Sequence, residues 1–373
     1  MKTLLFVFGT RPEAIKLAPV IINAGRKTRY FKVKVCVTAQ HREMLDQVLD
    51  FFAIKPDYDL NLMQKNQSLF DITSRSLKAL NNVLDNVKPD IICVQGDTTT
   101  VMTASLAAFY KKIKIAHIEA GLRSFEKFSP FPEEMNRVLT SHIADYHFCP
   151  TRNAKKNLER EGIKKGIYVT GNTVIDALFL GLKIIRSKGE SEYKKQFDFI
   201  DFSKKIILVT CHRRESFGKP IEEIFKAILN IANSFNNVEI VYPVHFNPNV
   251  VKPAYRMLNQ AKNIHLIKPL GYPDLIWLMN KSYLVLTDSG GIQEEAPSLG
   301  KPVLVLREVT ERTEGIEAGT ALLVGVNKNN IIRTAEKFLT DKKAYSKMAR
   351  AVNPYGDGRS SERILKFLHA ASD

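Results

Sequence analysis

Short, mostly apolar runs alternate along the chain with longer stretches whose apolar residues recur at helical spacing. TLLFVFGT leads into RPEAIKLAPVIINAG, KVKVCVTAQ into HREMLDQVLDFF, DIICVQGD into TTTVMTASLAAFYK, and IKIAHIEA into a loop and then PEEMNRVLTSHIA. A short apolar run bounded by glycine and polar residues is the mark of a parallel strand buried on both faces. An apolar stripe of period ~3.6 is that of a crossover helix. The pattern predicts an α/β fold.

YHFCPT, GIYVTG and NTVIDALFLGLKII continue the alternation, and RSKGESEYKKQFDFIDFSKK interrupts it with a polar, strongly charged stretch. The pattern then restarts with IILVTCHRR, VEIVYPVH, IHLIKPL, YLVLTDSGG, PVLVLR and TALLVG. Two successive doubly wound, Rossmann-like units meeting near residues 171 to 205 account for the interruption. The predicted division is a first domain over 1–172, a second over 173–353, and a terminal segment over 354–373. That last segment carries Ile364, Leu365, Phe367 and Leu368 as a helical stripe, which must be buried and is expected to pack back on the first domain.

Length supports two cores, since 373 residues exceed the ~150 that one domain ordinarily uses. A 45% hydrophobic, 25% charged composition is that of a globular chain. No window approaches the ~20 continuous apolar residues of a membrane span, and the N-terminal apolar run passes directly into Gly9-Thr10-Arg11-Pro12, unlike a signal peptide. Cys36, Cys93, Cys149 and Cys211 are scattered, with no metal-binding spacing, which fits a reducing cytoplasm. The net charge of +16 attracts anions. Its lysines are spread over helix faces without an aromatic-basic ladder, so neither nucleic acid nor membrane is the expected partner. A basic nucleic-acid-binding protein is the alternative from another class, and a salt-sensitive gel shift would reveal it.

In open α/β sheets ligands bind beyond the carboxyl ends of the strands. In the first unit those ends carry Arg11, Gln40, His41, Asp97 and Glu119, and in the second His212, Arg213, Arg214, His245, Ser289, Gly290 and Gly291. In TDSGGIQEEAPSLGKP two glycines permit close backbone approach to a phosphate at a helix start. Glu295, one turn on, is placed to accept hydrogen bonds from ribose hydroxyls. An ordinary strand-to-helix turn, with Glu294 and Glu295 suited to the helix dipole, explains the stretch equally well. In CHRRESFGKP, arginine forks match phosphate oxygens and His212 can donate near neutral pH. Its plainer reading is a loop histidine with solvent-facing arginines. HIEAGLRSFEKFSPFPEEMNR gathers Glu119, Glu126, Glu133 and Glu134. There Pro132 suits a first helical position, Glu133 and Glu134 suit the first turn, and Arg137 stands at pairing distance from both. Glu119 resists that explanation, because it ends an apolar strand one strand after Asp97.

FGTRPEAIKLAPVI, TAQHREMLDQVL, VQGDTTT, HIEAGLRS, PFPEEMNR, VTGNTVIDAL, HRRESFG, YPVHFNPNV, TDSGGIQEEAPSLGKPVLVLR and NPYGDG stand in order over almost the whole chain. In series they resemble the non-hydrolysing UDP-N-acetylglucosamine 2-epimerases. The resemblance implies a GT-B-type architecture, two Rossmann-like domains facing each other across a cleft, usually as a homodimer. It implies interconversion of UDP-GlcNAc and UDP-ManNAc with no external cofactor and no metal, by anti elimination of UDP to 2-acetamidoglucal and syn re-addition, supplying surface polysaccharide precursors. The family's catalytic acids fall on Asp97, Glu119 and Glu133, with Arg11, Lys16, Arg137 and His212 in support. Its nucleotide side falls on Arg213, His245, Ser289, Gly290, Gly291 and Glu295. Gln40 and His41 match the segment that binds a second UDP-GlcNAc as allosteric activator in bacterial members. Where the family carries a proline after Glu-Arg, this chain has Thr313, which implies a looser loop. Alternatives within the fold are a 2-epimerase of a modified UDP-sugar such as a UDP-2,3-diacetamido-uronic acid, a hydrolysing relative releasing ManNAc and UDP, and a GT-B glycosyltransferase.

Overall fold

The computed structural model describes residues 1–38, 42–64 and 67–370. They form two compact units, Met1–Leu180 with Tyr355–Asp373, and Gly181–Pro354. The first unit's described strands are β1 (Lys2–Phe8), β2 (Phe31–Val37), β3 (Tyr58–Asp59), β4 (Ile91–Gln95), β5 (Lys114–Ile118), β6 (Tyr146–Cys149) and β7 (Ile167–Val169), in the spatial order β3-β2-β1-β4-β5-β6-β7. All neighbours pair in parallel. The apolar runs are buried because helices cover both faces: Leu4 to Phe8 are fully enclosed, and Leu5, Val7, Ile92 and Val94 share one cluster with Leu80, Val101 and Ala104 of the covering helices.

The second unit repeats the plan with β8 (Lys205–Thr210), β9 (Val238–Pro243), β10 (Ile264–Ile267), β11 (Leu284–Thr287), β12 (Val303–Val305) and β13 (Ala321–Leu323), ordered β10-β9-β8-β11-β12-β13. Its pairs are also parallel, with Thr287 of β11 beside Thr210 of β8. Trp277 is fully buried, with Phe197 stacked on it at 5.3 Å; the charged stretch that interrupts the alternation thus contributes an aromatic ring to this core.

The terminal helix, Ser360–Ala370, belongs to the first unit, where it lies against helix Arg11–Arg26 and buries Ile364, Leu365 and Leu368, whereas Phe367, expected in the same stripe, is 36% exposed and stacks on Tyr168 at 4.1 Å. Its start is held in trans by the buried carboxylate of Asp176, which accepts the backbone N–H groups of Ser360 (3.1 Å) and Ser361 (2.8 Å) and the Ser361 hydroxyl (2.6 Å). A carboxylate at a helix N-terminus satisfies donors that the helix itself cannot. No described helix is long and apolar enough to cross a membrane.

Candidate active site

Each sheet reverses its strand order at its first strand, β1 between β2 and β4, and β8 between β9 and β11. At such a switch point the flanking loops diverge and open a crevice beyond the carboxyl ends. The described candidate residues gather there, one set at the switch point of each unit.

In the first unit Glu119 directly follows β5 with φ +63°, a left-handed backbone that costs a non-glycine residue ~1 kcal/mol. Gly121, at φ +88°, completes the turn, and a Cβ there would lie 2.2 Å from the Ala154 carbonyl oxygen. The turn brings the Glu119 carboxylate inward, 8% exposed. Lys16 Nζ reaches its two oxygens at 2.6 and 2.7 Å, Asn172 Nδ2 donates to Oε1 at 3.1 Å, and the Gln95 side-chain amide donates to Oε2. Both oxygens are thus oriented by fixed donors.

Asp97 leaves the neighbouring strand end, two residues beyond β4. Arg137 clamps a single oxygen of it, Oδ2, through Nε (2.9 Å) and Nη2 (2.6 Å), which leaves Oδ1 with no protein hydrogen bond among the described residues. Asn136 Nδ2 holds the Asp97 carbonyl at 2.9 Å. Glu133 opens helix Glu133–Ile143, half-buried, its side chain making no hydrogen bond or ion pair among the described residues. Pro132 is the N-cap of that helix rather than its first helical residue. Arg11 opens helix Arg11–Arg26, and Glu13 in the first turn accepts the backbone N–H groups of Gly9 and Thr10 at 3.0 and 2.8 Å. Glu13 Oε1 also takes the Thr98 hydroxyl at 2.8 Å, so one buried carboxyl, its pKa raised by that burial, ties the loop bearing Arg11 to the loop bearing Asp97.

Sequence reasoning gave Glu134 a helix-terminus charge and nothing more, and the structure corrects this. Glu134 is buried, accepts the backbone N–H groups of Ser124 and Phe125, and takes Arg137 Nη1 at 2.9 Å. It therefore braces both the loop before the helix and the arginine on Asp97. Arg137 pairs with Glu134 as the i+3 spacing predicts, but its other partner is Asp97, forty residues away in sequence, and not Glu133. Arg123, also missed, is enclosed in a two-point ion pair with Glu161 at 2.7 Å. His117 is structural: its Nε2 bonds the Gly96 carbonyl at 2.8 Å, and burial depresses its pKa to about 3.

In the second unit the residue that organises the site is Asp288, which directly follows β11 and is fully enclosed. Its Oδ2 accepts the backbone N–H groups of His212 (2.6 Å) and Arg213 (2.7 Å), and its Oδ1 lies 3.4 Å from His212 Nδ1. The His212 and His245 rings stack 5.4 Å apart at 13°. His212 titrates below its ordinary value because burial outweighs the attraction of Asp288, with the charges of His245 and Arg213 adding to the fall. Ser289 stands at the N-cap position of the short helix Gly290–Glu295 without a side-chain cap bond. The Arg312 guanidinium packs over Gly290, 3.6 Å from where a Cβ would stand, and its Nε bonds buried Glu294 at 2.6 Å. Glu295 is also buried and accepts the Tyr272 hydroxyl at 3.2 Å. The loop without the family's proline is tied down, with Arg312 N on Thr310 Oγ1 (3.1 Å) and that hydroxyl on Gln293 (2.8 Å). In the sequence Asp288 is an acid one residue past an apolar run, and nothing in TDSGG marks it as an acceptor of two backbone N–H groups. Gln40 and His41 lie outside the described residues. Among the described residues no cluster of three His, Cys, Asp or Glu side chains is arranged to hold a metal ion.

The first unit thus carries an acid group oriented by cations and amides, and the second a basic, histidine-bearing strand end beside two glycines. Comparison with known proteins identifies the family. The family model for UDP-N-acetylglucosamine 2-epimerase matches residues 23–369. The Escherichia coli protein named UDP-N-acetylglucosamine 2-epimerase is 55% identical over 367 residues, covering 98% of this chain and 97% of its own. The crystal structure of UDP-GlcNAc 2-epimerase from Neisseria meningitidis bound to UDP-GlcNAc is 50% identical and superimposes with a TM-score of 0.90 over 99% of this chain and 100% of its own. A structure from Methanocaldococcus jannaschii in complex with UDP-GlcNAc and UDP is 37% identical, with a TM-score of 0.80 over the same shares. The two Rossmann-like units are accordingly of GT-B type.

Proposed function

This chain belongs to the UDP-N-acetylglucosamine 2-epimerase family and is an epimerase, and on that premise we propose that it interconverts UDP-GlcNAc and UDP-ManNAc by anti elimination of UDP to 2-acetamidoglucal and syn re-addition, with no external cofactor. The observation that carries this reading is the acid group of the first unit, in which Glu119 has both oxygens occupied by donors while Asp97 Oδ1 and Glu133 do not.

The chemistry asks for such a division. The C2 proton has no neighbouring carbonyl to acidify it, so the C1–O bond must largely break first and a cationic sugar develops. Glu119 supplies fixed negative charge to that sugar. Asp97 and Glu133 have atoms available for a proton, as removal from one face of C2 and return to the other require. The departing diphosphate takes the C1–O electron pair, and cationic groups stabilise it: Arg11 in the first unit, and in the second Arg213 with His212 as proton donor to a phosphate oxygen. His245, Ser289, Gly290 and Gly291 line the phosphate side, and Glu295 accepts from the ribose hydroxyls.

The biological reading is a cytoplasmic homodimer supplying surface polysaccharide precursors, activated by a second UDP-GlcNAc at Gln40 and His41. Hyperbolic rates in UDP-GlcNAc, with turnover of UDP-ManNAc alone, would remove the activation. The central experiment is incubation with UDP-GlcNAc in D2O followed by NMR. The expected product is UDP-ManNAc carrying deuterium at C2. Free ManNAc with UDP would mean hydrolysis, and absence of reaction would direct the search to a modified UDP-sugar.

A further inference from the structure

We infer that Asp288 is a positioning residue for His212, holding its imidazole with the proton on Nδ1 and so presenting Nε2 to the departing phosphate. The inference rests on the reading of His212 as the proton donor above. Asp288 is an enclosed carboxylate with two unequal oxygens. Oδ2 is engaged by the His212 and Arg213 backbone N–H groups at 2.6 and 2.7 Å, which fixes the loop after β8 to the end of β11. Oδ1 is buried with no hydrogen-bond partner, 3.4 Å from His212 Nδ1. A buried acceptor left open beside a ring nitrogen is costly, and a small side-chain rotation closes the bond.

The other groups around the pair agree with this assignment. The Tyr242 hydroxyl is turned away from the carboxylate, donating to the Cys211 carbonyl at 2.6 Å. The Cys211 thiol, pushed well up by burial, then by the Asp288 charge and by a hydrogen bond to that carboxylate, stays neutral and is at most a weak donor beside His212 Nδ1. His245 Nδ1 accepts the Asn247 backbone N–H at 3.1 Å, so its proton is on Nε2, and its ring stacks flat on His212 and fixes the ring plane. Arg213 contributes its backbone N–H to Asp288. Among these groups, Asp288 alone supplies negative charge to an imidazolium at position 212. An aspartate on Nδ1 both selects the tautomer, leaving the Nε2 lone pair free to take a proton from solvent, and stabilises the imidazolium so formed, whose Nε2–H then donates to the phosphate oxygen.

The test uses the full chain with 15N-labelled histidine, the His212 ring being assigned by the signals lost in His212→Gln. The expected result in the unsubstituted protein without ligand is a neutral His212 protonated at Nδ1. In Asp288→Asn the amide donates to Nδ1, the proton moves to Nε2, and the titration midpoint falls by at least ~1 pH unit. Turnover of UDP-GlcNAc by that variant should drop at least ~30-fold in kcat with KM within ~3-fold, and the limb of the pH profile belonging to His212 should move with the NMR midpoint. A purely structural role would lower the active fraction without moving either midpoint. His212 protonated at Nε2 in the unsubstituted protein overturns the inference, as does an unchanged tautomer in the variant. The first measurement needs only the assignment variant His212→Gln, so a misfolded Asp288→Asn leaves the question decidable. Failure of the unsubstituted chain to turn over UDP-GlcNAc would count against the proposed function while the ring spectrum still decided the role of Asp288.

Discussion

Replacing Lys16 by methionine removes the cation from a buried carboxylate while keeping most of the side-chain volume. The pair is 2.6 Å apart, with side chains 15% and 5% exposed, so an effective dielectric of ~20 gives ~6 kcal/mol of attraction at that distance. The loss in stability is smaller, because Glu119 can take up a proton instead of remaining a buried charge without its lysine. Protonating a carboxyl of ordinary pKa ~4.3 at pH 7 costs ~4 kcal/mol, and at pH 6 ~2 kcal/mol. The expected destabilisation is therefore ~4 kcal/mol at pH 7, within the range for breaking a buried pair. The sign of its pH dependence follows. In the variant the folded-state pKa of Glu119 lies above its unfolded value, so the deficit shrinks as pH falls from 7 towards 4.3, by up to ~1.4 kcal/mol per pH unit. Urea unfolding at both pH values, followed by far-UV circular dichroism, measures it. Fluorescence of Trp277, the only tryptophan, reports the other unit as a control. A deficit below ~1 kcal/mol at pH 7, or one equal at pH 6 and 7, would refute the reasoning.

Asp97→Asn and Glu133→Gln should each cut epimerisation at least ~100-fold with an unchanged circular dichroism spectrum, and near-normal turnover of either removes that residue from the acid-base set. His117 is held neutral by burial, with its pKa at about 3 in the fold against ~6.5 unfolded, so the stability it confers is complete above pH ~6.5 and is lost as pH falls towards 3. His117→Gln should accordingly lose ~2 kcal/mol less than the parent between pH 7 and pH 5, and equal losses in denaturant titrations at the two pH values would contradict this. Asp176→Asn leaves one acceptor where Ser360 and Ser361 present three donors, which should cost ~2 kcal/mol and expose Arg359 and Arg363 to trypsin, whereas parent-like resistance by mass spectrometry would show that the clamp is dispensable.

By itself the sequence determined the kind of fold and the places where chemistry concentrates. Buried parallel strands demand continuous apolar runs, and crossover helices demand an apolar stripe, so both units are written locally. Strand ends are where an α/β sheet can present polar groups to a ligand, which is why Asp97, Glu119, His212 and Ser289 stood out. The terminal stripe of Ile364, Leu365 and Leu368 likewise had to be buried, and helix Arg11–Arg26 is where it goes. What only the tertiary structure decided is which partner each charge meets. Arg137 looked like a helix-surface partner of Glu133 and Glu134, yet its fork closes on Asp97, because β4 and β5 are neighbours in the sheet. Glu134 and Asp288 were invisible as organisers, since a carboxylate that accepts backbone N–H groups has no sequence pattern of its own. Its role is set by the loops that the sheet order brings to it. Local periodicity is a property of neighbouring residues, whereas desolvation and pairing of a charge depend on strands and helices far apart in the chain.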